Sequence, residues 1–178
     1  LLYWYPKADT PGCTAQAEGL RDQLEAFDDL GCTVLGASFD PPEVNAAFRS
    51  KYSLRFTLLT DRSRQVARTF GAVLDTDQSH PSRIATLVDP SSTAAMIYQV
   101  TDPEFFAESV LDDLERLTAE EKAEVEALAK LKEELSGGDE DTKRLSQDLE
   151  KIEAEVLEAK RIENIKLRSA AEQAHAKQ

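Results

Sequence analysis

Apolar and polar positions change period several times along the first hundred residues. "LLYWY" is a continuous apolar run and predicts a buried strand, and after it Leu20, Leu24 and Phe27 fall at i, i+4 and i+7, a helical stripe that stops at Gly31. "TVLGASF" reads as the next strand. Pro41 and Pro42 open a short helix with Val44, Ala47 and Phe48 inward, and "FTLLT" follows as a strand. Val66, Ala67 and Phe70 mark another helix that ends at Gly71. "RIATLVD" and "AAMIYQV", separated by "PSST", predict a hairpin, and Asp102 with Pro103 starts a helix through "EFFAESVLDDLERL". Alternating strands and helices that close with an antiparallel pair and a helix define an α/β fold.

The pattern then changes character. Every Pro, Trp, Tyr, Phe and Cys lies before residue 107, and from residue 118 onward the chain is built almost wholly from small, aliphatic and charged helix formers. That break predicts two domains, 1–117 globular and 118–178 helical. Thr118 and Glu121 have capping-box spacing, with Val125, Leu128, Leu131 and Leu135 along one side of the helix they would open, and "SGGD" breaks it. Leu145, Leu149, Ile152, Val156 and Ala159 then step by heptad spacing, which loosens around Ile162 and Ile165. The tail is expected to form a helical hairpin, or a coiled-coil-like surface for self-association or for a protein partner.

Charge narrows the function classes without separating the two regions. The net charge is −13. Residues 1–117 hold 10 basic and 18 acidic side chains and residues 118–178 hold 11 and 16, so both regions would be repelled by a phosphate backbone, and no basic patch offsets this. Nucleic acid is therefore not the expected partner. No run approaches the roughly 18 consecutive apolar residues of a membrane helix, and the first residues lack signal-peptide features. The chain opens at Leu1, without methionine and already inside an apolar run, which reads as a processed or truncated product. Two cysteines make no disulfide framework and point instead to a reducing compartment and a thiol with a task.

One of those thiols, Cys13, sits in "YPKADTPGCT", where a strand ends and a helix begins. The spacing of Pro6, Thr10 and Cys13, together with "LGCTVLGASFDPPEVNAAFRSKYSLRFTLLTD" and "HPSRIATLVDP", resembles the peroxiredoxins of the AhpC/TSA family. The likeness is to the branch called peroxiredoxin Q or bacterioferritin comigratory protein, over roughly residues 1–116. The fold this implies is thioredoxin-like, in agreement with the alternation above, and the strands that normally precede the active-site strand are not in this chain. The helical tail has no counterpart in the family.

The resemblance implies a thiol peroxidase that needs no metal, haem or flavin. Peroxide reduction needs a thiolate to attack one oxygen and donors for the charge that develops on the other. Cys13 at a helix N-terminus meets unpaired backbone N–H groups and the positive end of the helix dipole. Thr10 is placed to put its hydroxyl on the sulfur or the peroxide, and Pro6 to shape and shield the turn. Arg83 matches the family's active-site arginine, whose fixed charge can pair with the sulfur and polarise the O–O bond. The product expected is a sulfenic acid on Cys13. His80, beside Pro81, and His175 near the C-terminus are expected to be exposed and without a role.

The chain departs from the branch at one position. Many members carry a resolving cysteine five residues after the first, and here that position is Glu18, with its side chain expected to face solvent. Cys32 is a poor substitute. A helix of about 17 residues rising ~1.5 Å per residue would set it ~25 Å from Cys13, whereas a disulfide needs Cα atoms within roughly 7 Å. The expectation is a one-cysteine enzyme, with Cys32 buried at the base of a central strand and an external thiol such as thioredoxin, glutaredoxin or glutathione recycling Cys13. The peroxide is hydrogen peroxide or an organic hydroperoxide. The setting expected is a bacterial cytoplasm or plastid stroma, with a mitochondrion as an alternative. A competing reading is a structural subunit of this fold, docked in a larger complex through its tail and with little or no turnover.

Overall fold

The computed structural model describes residues 1–136, together with residues 144 and 151. Five strands form one mixed sheet: β1 (Leu2–Trp4), β2 (Leu35–Ser38), β3 (Thr57–Thr60), β4 (Ile84–Val88) and β5 (Ala94–Gln99), in the spatial order β3-β2-β1-β4-β5. The first three strands run parallel, with Tyr3 beside Gly36 and Gly36 beside Leu58. Parallel neighbours need crossovers. Helices α1 (Pro11–Asp22) and α2 (Leu24–Asp29) lead from β1 to β2, and α3 (Pro42–Lys51) leads from β2 to β3. A short α4 (Gln65–Thr69) follows β3, and β4 and β5 add an antiparallel hairpin to the free edge of β1. Helix α5 spans Phe106–Ser136. The sheet has the thioredoxin-like layout expected from the sequence.

Side chains on alternate faces of β1 enter different cores. Tyr3 and Tyr5 join Cys13, Ala17, Leu20, Phe27, Phe48, Phe106 and Val110 on one side of the sheet. Trp4 points the other way and packs with Ala37, Ala67, Val73 and Ile84. This period of two is what turned a continuous apolar run into a strand buried on both faces. The ring of Tyr3 lies across β2, and only glycine leaves room for it. A Cβ on Gly36 would stand 2.9 Å from two Tyr3 ring atoms and 2.6 Å from Leu58 Cδ2.

Several elements differ from the sequence expectation, each for a local reason. The helix after Cys13 is two pieces, since the backbone leaves helical geometry at Gln23 before α2 resumes the stripe with Leu24 and Phe27 buried. In α3, Phe48 is inward as expected, but Val44 is 42% exposed and Ala47 is exposed, and Asn45 takes the inner position. A polar network outweighs apolar spacing there. Asn45 Oδ1 accepts the Tyr5 hydroxyl at 2.7 Å, while its amide lies 3.1 Å from Thr60 Oγ1 and 3.3 Å from the Leu59 carbonyl. In α4, Ala67 is buried but Val66 is exposed. The helix expected from Asp102 begins only at Phe106, because Asp102 Oδ1 accepts the Glu104 N–H at 3.2 Å and holds a turn ahead of it.

The last helix does not restart at Thr118. No Gly or Pro interrupts Phe106–Ser136, so α5 continues, and Thr118 Oγ1 donates back to the Leu114 carbonyl at 2.8 Å. One compact unit comprises Leu1–Asp89 and Ala94–Thr118, and a second comprises Pro90–Thr93 and the chain from Ala119 on. Within that second stretch Val125, Leu128 and Leu131 are exposed. The positions expected to form heptads, Leu145, Leu149, Ile152, Val156, Ala159, Ile162 and Ile165, lie outside the described residues, as does His175. No described helix is long and apolar enough to cross a membrane.

Two substitutions test this packing. Gly36→Ala drives a methyl into the buried Tyr3 ring and should lower stability by roughly 1–3 kcal/mol, read from the urea midpoint. Asn45→Ala strands the Tyr5 hydroxyl and should cost a comparable ~1–3 kcal/mol, whereas Val44→Ala on the exposed face should stay within about 0.5 kcal/mol. Equal effects at residues 44 and 45 would contradict the observed face of α3.

Candidate active site

Cys13 owes its position to the way β1 becomes α1. After Trp4 the chain leaves the sheet through Tyr5 and Pro6, and Asp9 takes a left-handed turn at φ 59°, a conformation that aspartate tolerates. Thr10 is then the N-cap, with extended backbone at φ −100° and ψ 152°, and Pro11 occupies the first helical position, where no N–H is needed. The Thr14 N–H donating to the Thr10 carbonyl at 2.8 Å closes the first turn. Cys13 thus lies in that turn, among the N–H groups that have no intrahelical acceptor.

Arg83 arrives from the opposite direction. β4 pairs antiparallel with β1, Tyr3 beside Ala85 and Leu2 beside Thr86, and continuing that register sets Arg83 across from Tyr5 at the exit of the active-site strand. Its guanidinium reaches the first two turns of α1: Nη2 donates to Cys13 Sγ at 3.4 Å and Nη1 to Gln16 Oε1 at 2.9 Å. Gly12 eases that approach, since a Cβ there would stand 3.1 Å from Nη2 and the guanidinium would have to shift by a few tenths of an ångström. The structure therefore brings two of the expected site residues, Cys13 and Arg83, into contact.

The other two are less direct. Pro6 is half-buried at the start of the loop. Thr10 is adjacent in the fold, but its hydroxyl donates to the Lys7 carbonyl at 2.9 Å, tightening the loop rather than meeting the sulfur. The loop is held from the side by Asp40, whose Oδ2 accepts the Ala8 N–H at 2.8 Å.

Gln16 was not foreseen. It is fully buried, holds Arg83 in line with the thiol, and leaves its own Nε2 without a partner. The available signal was its spacing, three residues after Cys13 and so on the same helix face. Tyr3 and Tyr5 complete the surroundings. Burial pushes both phenols well above their ordinary range, so both stay neutral, and the Tyr5 hydroxyl is already given to Asn45. The Tyr3 hydroxyl has no partner.

Both cysteines are free thiols and both are buried. Glu18 is turned outward as expected, with its carboxylate 3.1 Å from Arg21 Nη1. Cys32 follows α2 and precedes β2, on the far side of both helices in the chain. His80 is exposed, as expected. Chemically, the arrangement offers a single sulfur in the first turn of a helix, in contact with a fixed cation.

Relatives of known name share this part of the chain. It is 39% identical over 98 residues to a chloroplastic peroxiredoxin Q of Gentiana triflora, covering 55% of this chain and 45% of that protein. It is 52% identical over 71 residues to peroxiredoxin Bcp of Escherichia coli K12, covering 40% of this chain and 46% of that one. The matches thus span about half the length of these curated relatives. Among solved structures, the peroxidoxin BcpB of Mycobacterium tuberculosis superposes with a TM-score of 0.60 at 27% identity, covering 65% of this chain and 77% of that one. A Xanthomonas campestris peroxiredoxin Q gives 0.61 at 25% identity, covering 66% and 77%. Residues 1–104, which contain the whole arrangement from the β1 exit to Arg83, match the AhpC/TSA family, and the chain belongs to it.

Proposed function

We propose that the chain is a thiol peroxidase in which Cys13 reduces hydrogen peroxide or an organic hydroperoxide. The observation that carries this reading is the 3.4 Å contact of Arg83 Nη2 with Cys13 Sγ in the first turn of α1. The thiolate attacks one peroxide oxygen, the S–O bond forms as the O–O bond breaks, and the departing oxygen leaves as hydroxide or alkoxide and takes up a proton. Arg83 and the free N–H groups of the helix start face the atoms on which charge develops. Cys13 is left as a sulfenic acid.

Recycling falls to an external thiol. Glutamate at position 18 cannot form a disulfide, and the rest of α1 and all of α2 lie between Cys13 and Cys32 along the chain, so the reading is of a one-cysteine enzyme. A thiol such as thioredoxin, glutaredoxin or glutathione attacks the sulfenic sulfur with loss of water, and a second thiol reduces the mixed disulfide. Names of bacterial and chloroplastic relatives support a bacterial cytoplasm or plastid stroma as the setting.

A second reading concerns the helical region from residue 118 on. Val125, Leu128 and Leu131 recur at intervals of three along α5 and are 61%, 39% and 46% exposed, a stripe suited to self-association or to a protein partner. On that reading the chain is also, or mainly, a docked subunit.

Peroxide consumption with dithiothreitol as reductant tests the first reading. Cys13→Ser should abolish it, and Arg83→Ala should slow it by about 10²–10³-fold, the usual cost of losing one donor to developing charge. Wild-type turnover unaffected by Arg83→Ala would contradict the role given to the guanidinium. For the second reading, changing Val125, Leu128 and Leu131 together to Glu should dissociate any assembly seen by analytical ultracentrifugation. Because these positions lie outside the catalytic unit, peroxide consumption should stay within about twofold.

A further inference from the structure

Cys13 is fully buried, although the chemistry proposed above requires its sulfur to meet a peroxide and then a second thiol. The segment that carries it is tied at both of its ends to the C-terminus of α3. At the N-terminal end of residues 9–21, the Asp9 carboxylate accepts from Lys51 Nζ at 2.8 Å on each oxygen and from the Tyr52 hydroxyl at 2.6 Å. At the C-terminal end, Arg21 Nη1 donates to the Tyr52 carbonyl at 2.9 Å while also pairing with Glu18. Tyr52 is thus bonded to both ends of the segment that carries Thr10 and Cys13.

Tyr52 is well placed to hold them. It caps the C-terminus of α3, and its ring meets Phe48 edge-on at 5.3 Å; Phe48 in turn meets Tyr5 at 5.8 Å, one residue before Pro6. Lys51 Nζ lies 5.0 Å over the Tyr52 ring. The Asp9 arm is exposed, and an exposed ion pair alone contributes little to global stability. Its effect is local. Asp9 is a non-glycine residue at φ 59°, a conformation that persists where neighbouring contacts hold it, and a short hydrogen bond to its carboxylate is among the stronger kinds.

We propose that Tyr52 is a positioning residue for Cys13. Its hydroxyl acts through Asp9 and its carbonyl through Arg21, together clasping the nucleophile segment closed, so that loosening either arm uncovers the thiol without unfolding the domain. The consequence for turnover rests on the thiol-peroxidase reading; the clasp itself is measurable by thiol labelling.

Tyr52→Phe removes the hydroxyl arm and keeps the ring and carbonyl, Asp9→Ala removes its acceptor, and Arg21→Gln cuts the other arm. Each full-length variant is treated with iodoacetamide under native conditions, and labelling of Cys13 and Cys32 is followed separately by peptide mass spectrometry. Cys32 is buried in the same compact unit and reports global opening. Cys13 should label about three- to fivefold faster in each variant, the scale of one lost exposed hydrogen bond or ion pair, with Cys32 unchanged. The Tyr52→Phe/Asp9→Ala double variant should label no faster than the faster single variant, since both remove one shared interaction. An unchanged Cys13 rate, an equal rise at both cysteines or full additivity in the double variant would overturn the clasp. Absence of peroxide turnover in the wild type would instead sink the peroxidase reading, and the labelling comparison would still decide the clasp.

Discussion

The antiparallel pairing of β4 with β1 is the constraint on which the site depends. Residues 13 and 83 are far apart in sequence, and neither α1 nor the loop before it could bring a cation to the thiol on its own. The Tyr3 and Ala85 register fixes where β4 begins, and Arg83 is the residue just before it. The same pairing completes the strand that Leu2, Tyr3 and Trp4 occupy. Packing and chemistry are therefore served by one set of backbone hydrogen bonds.

Around that contact, small residues and buried polar groups decide the geometry. Gly12 admits the guanidinium at the start of α1, and Gly36 admits the Tyr3 ring across β2. Asn45 satisfies the Tyr5 hydroxyl in the core and ties α3 to the strand that ends at the active-site loop. Buried donors that lack acceptors remain at Tyr3 Oη and Gln16 Nε2, on the side of the sheet that faces the thiol. Such groups cost stability, and sites of chemistry are where they are commonly tolerated.

Much of this was legible in the sequence. The succession of strands and helices and the closing hairpin follow from apolar spacing, and the family resemblance supplied Cys13 and Arg83, which lie in contact. What failed was local. Period alone assigned Val44 and Ala47 to the inside of α3, because a scan for apolar residues has no means to detect that a buried asparagine with several partners can take the inner position. Thr118 and Glu121 have capping-box spacing, yet nothing between Phe106 and Ser136 stops a helix already under way. The spacing of Gln16 after Cys13 marks only a shared helix face, and its bond to Arg83, like the Tyr52 contacts, depends on tertiary neighbours that no local pattern reveals.

The central claim is that Cys13 alone is oxidised by peroxide and then waits for a thiol from outside the chain. Intact-chain and peptide mass spectrometry after one equivalent of peroxide, with a sulfenic-acid trapping reagent present, tests it most directly. A single trapping-reagent adduct on Cys13, with Cys32 still a free thiol, is the expected result. A Cys13–Cys32 disulfide, or a folded chain whose Cys13 stays unmodified while peroxide persists, would contradict it.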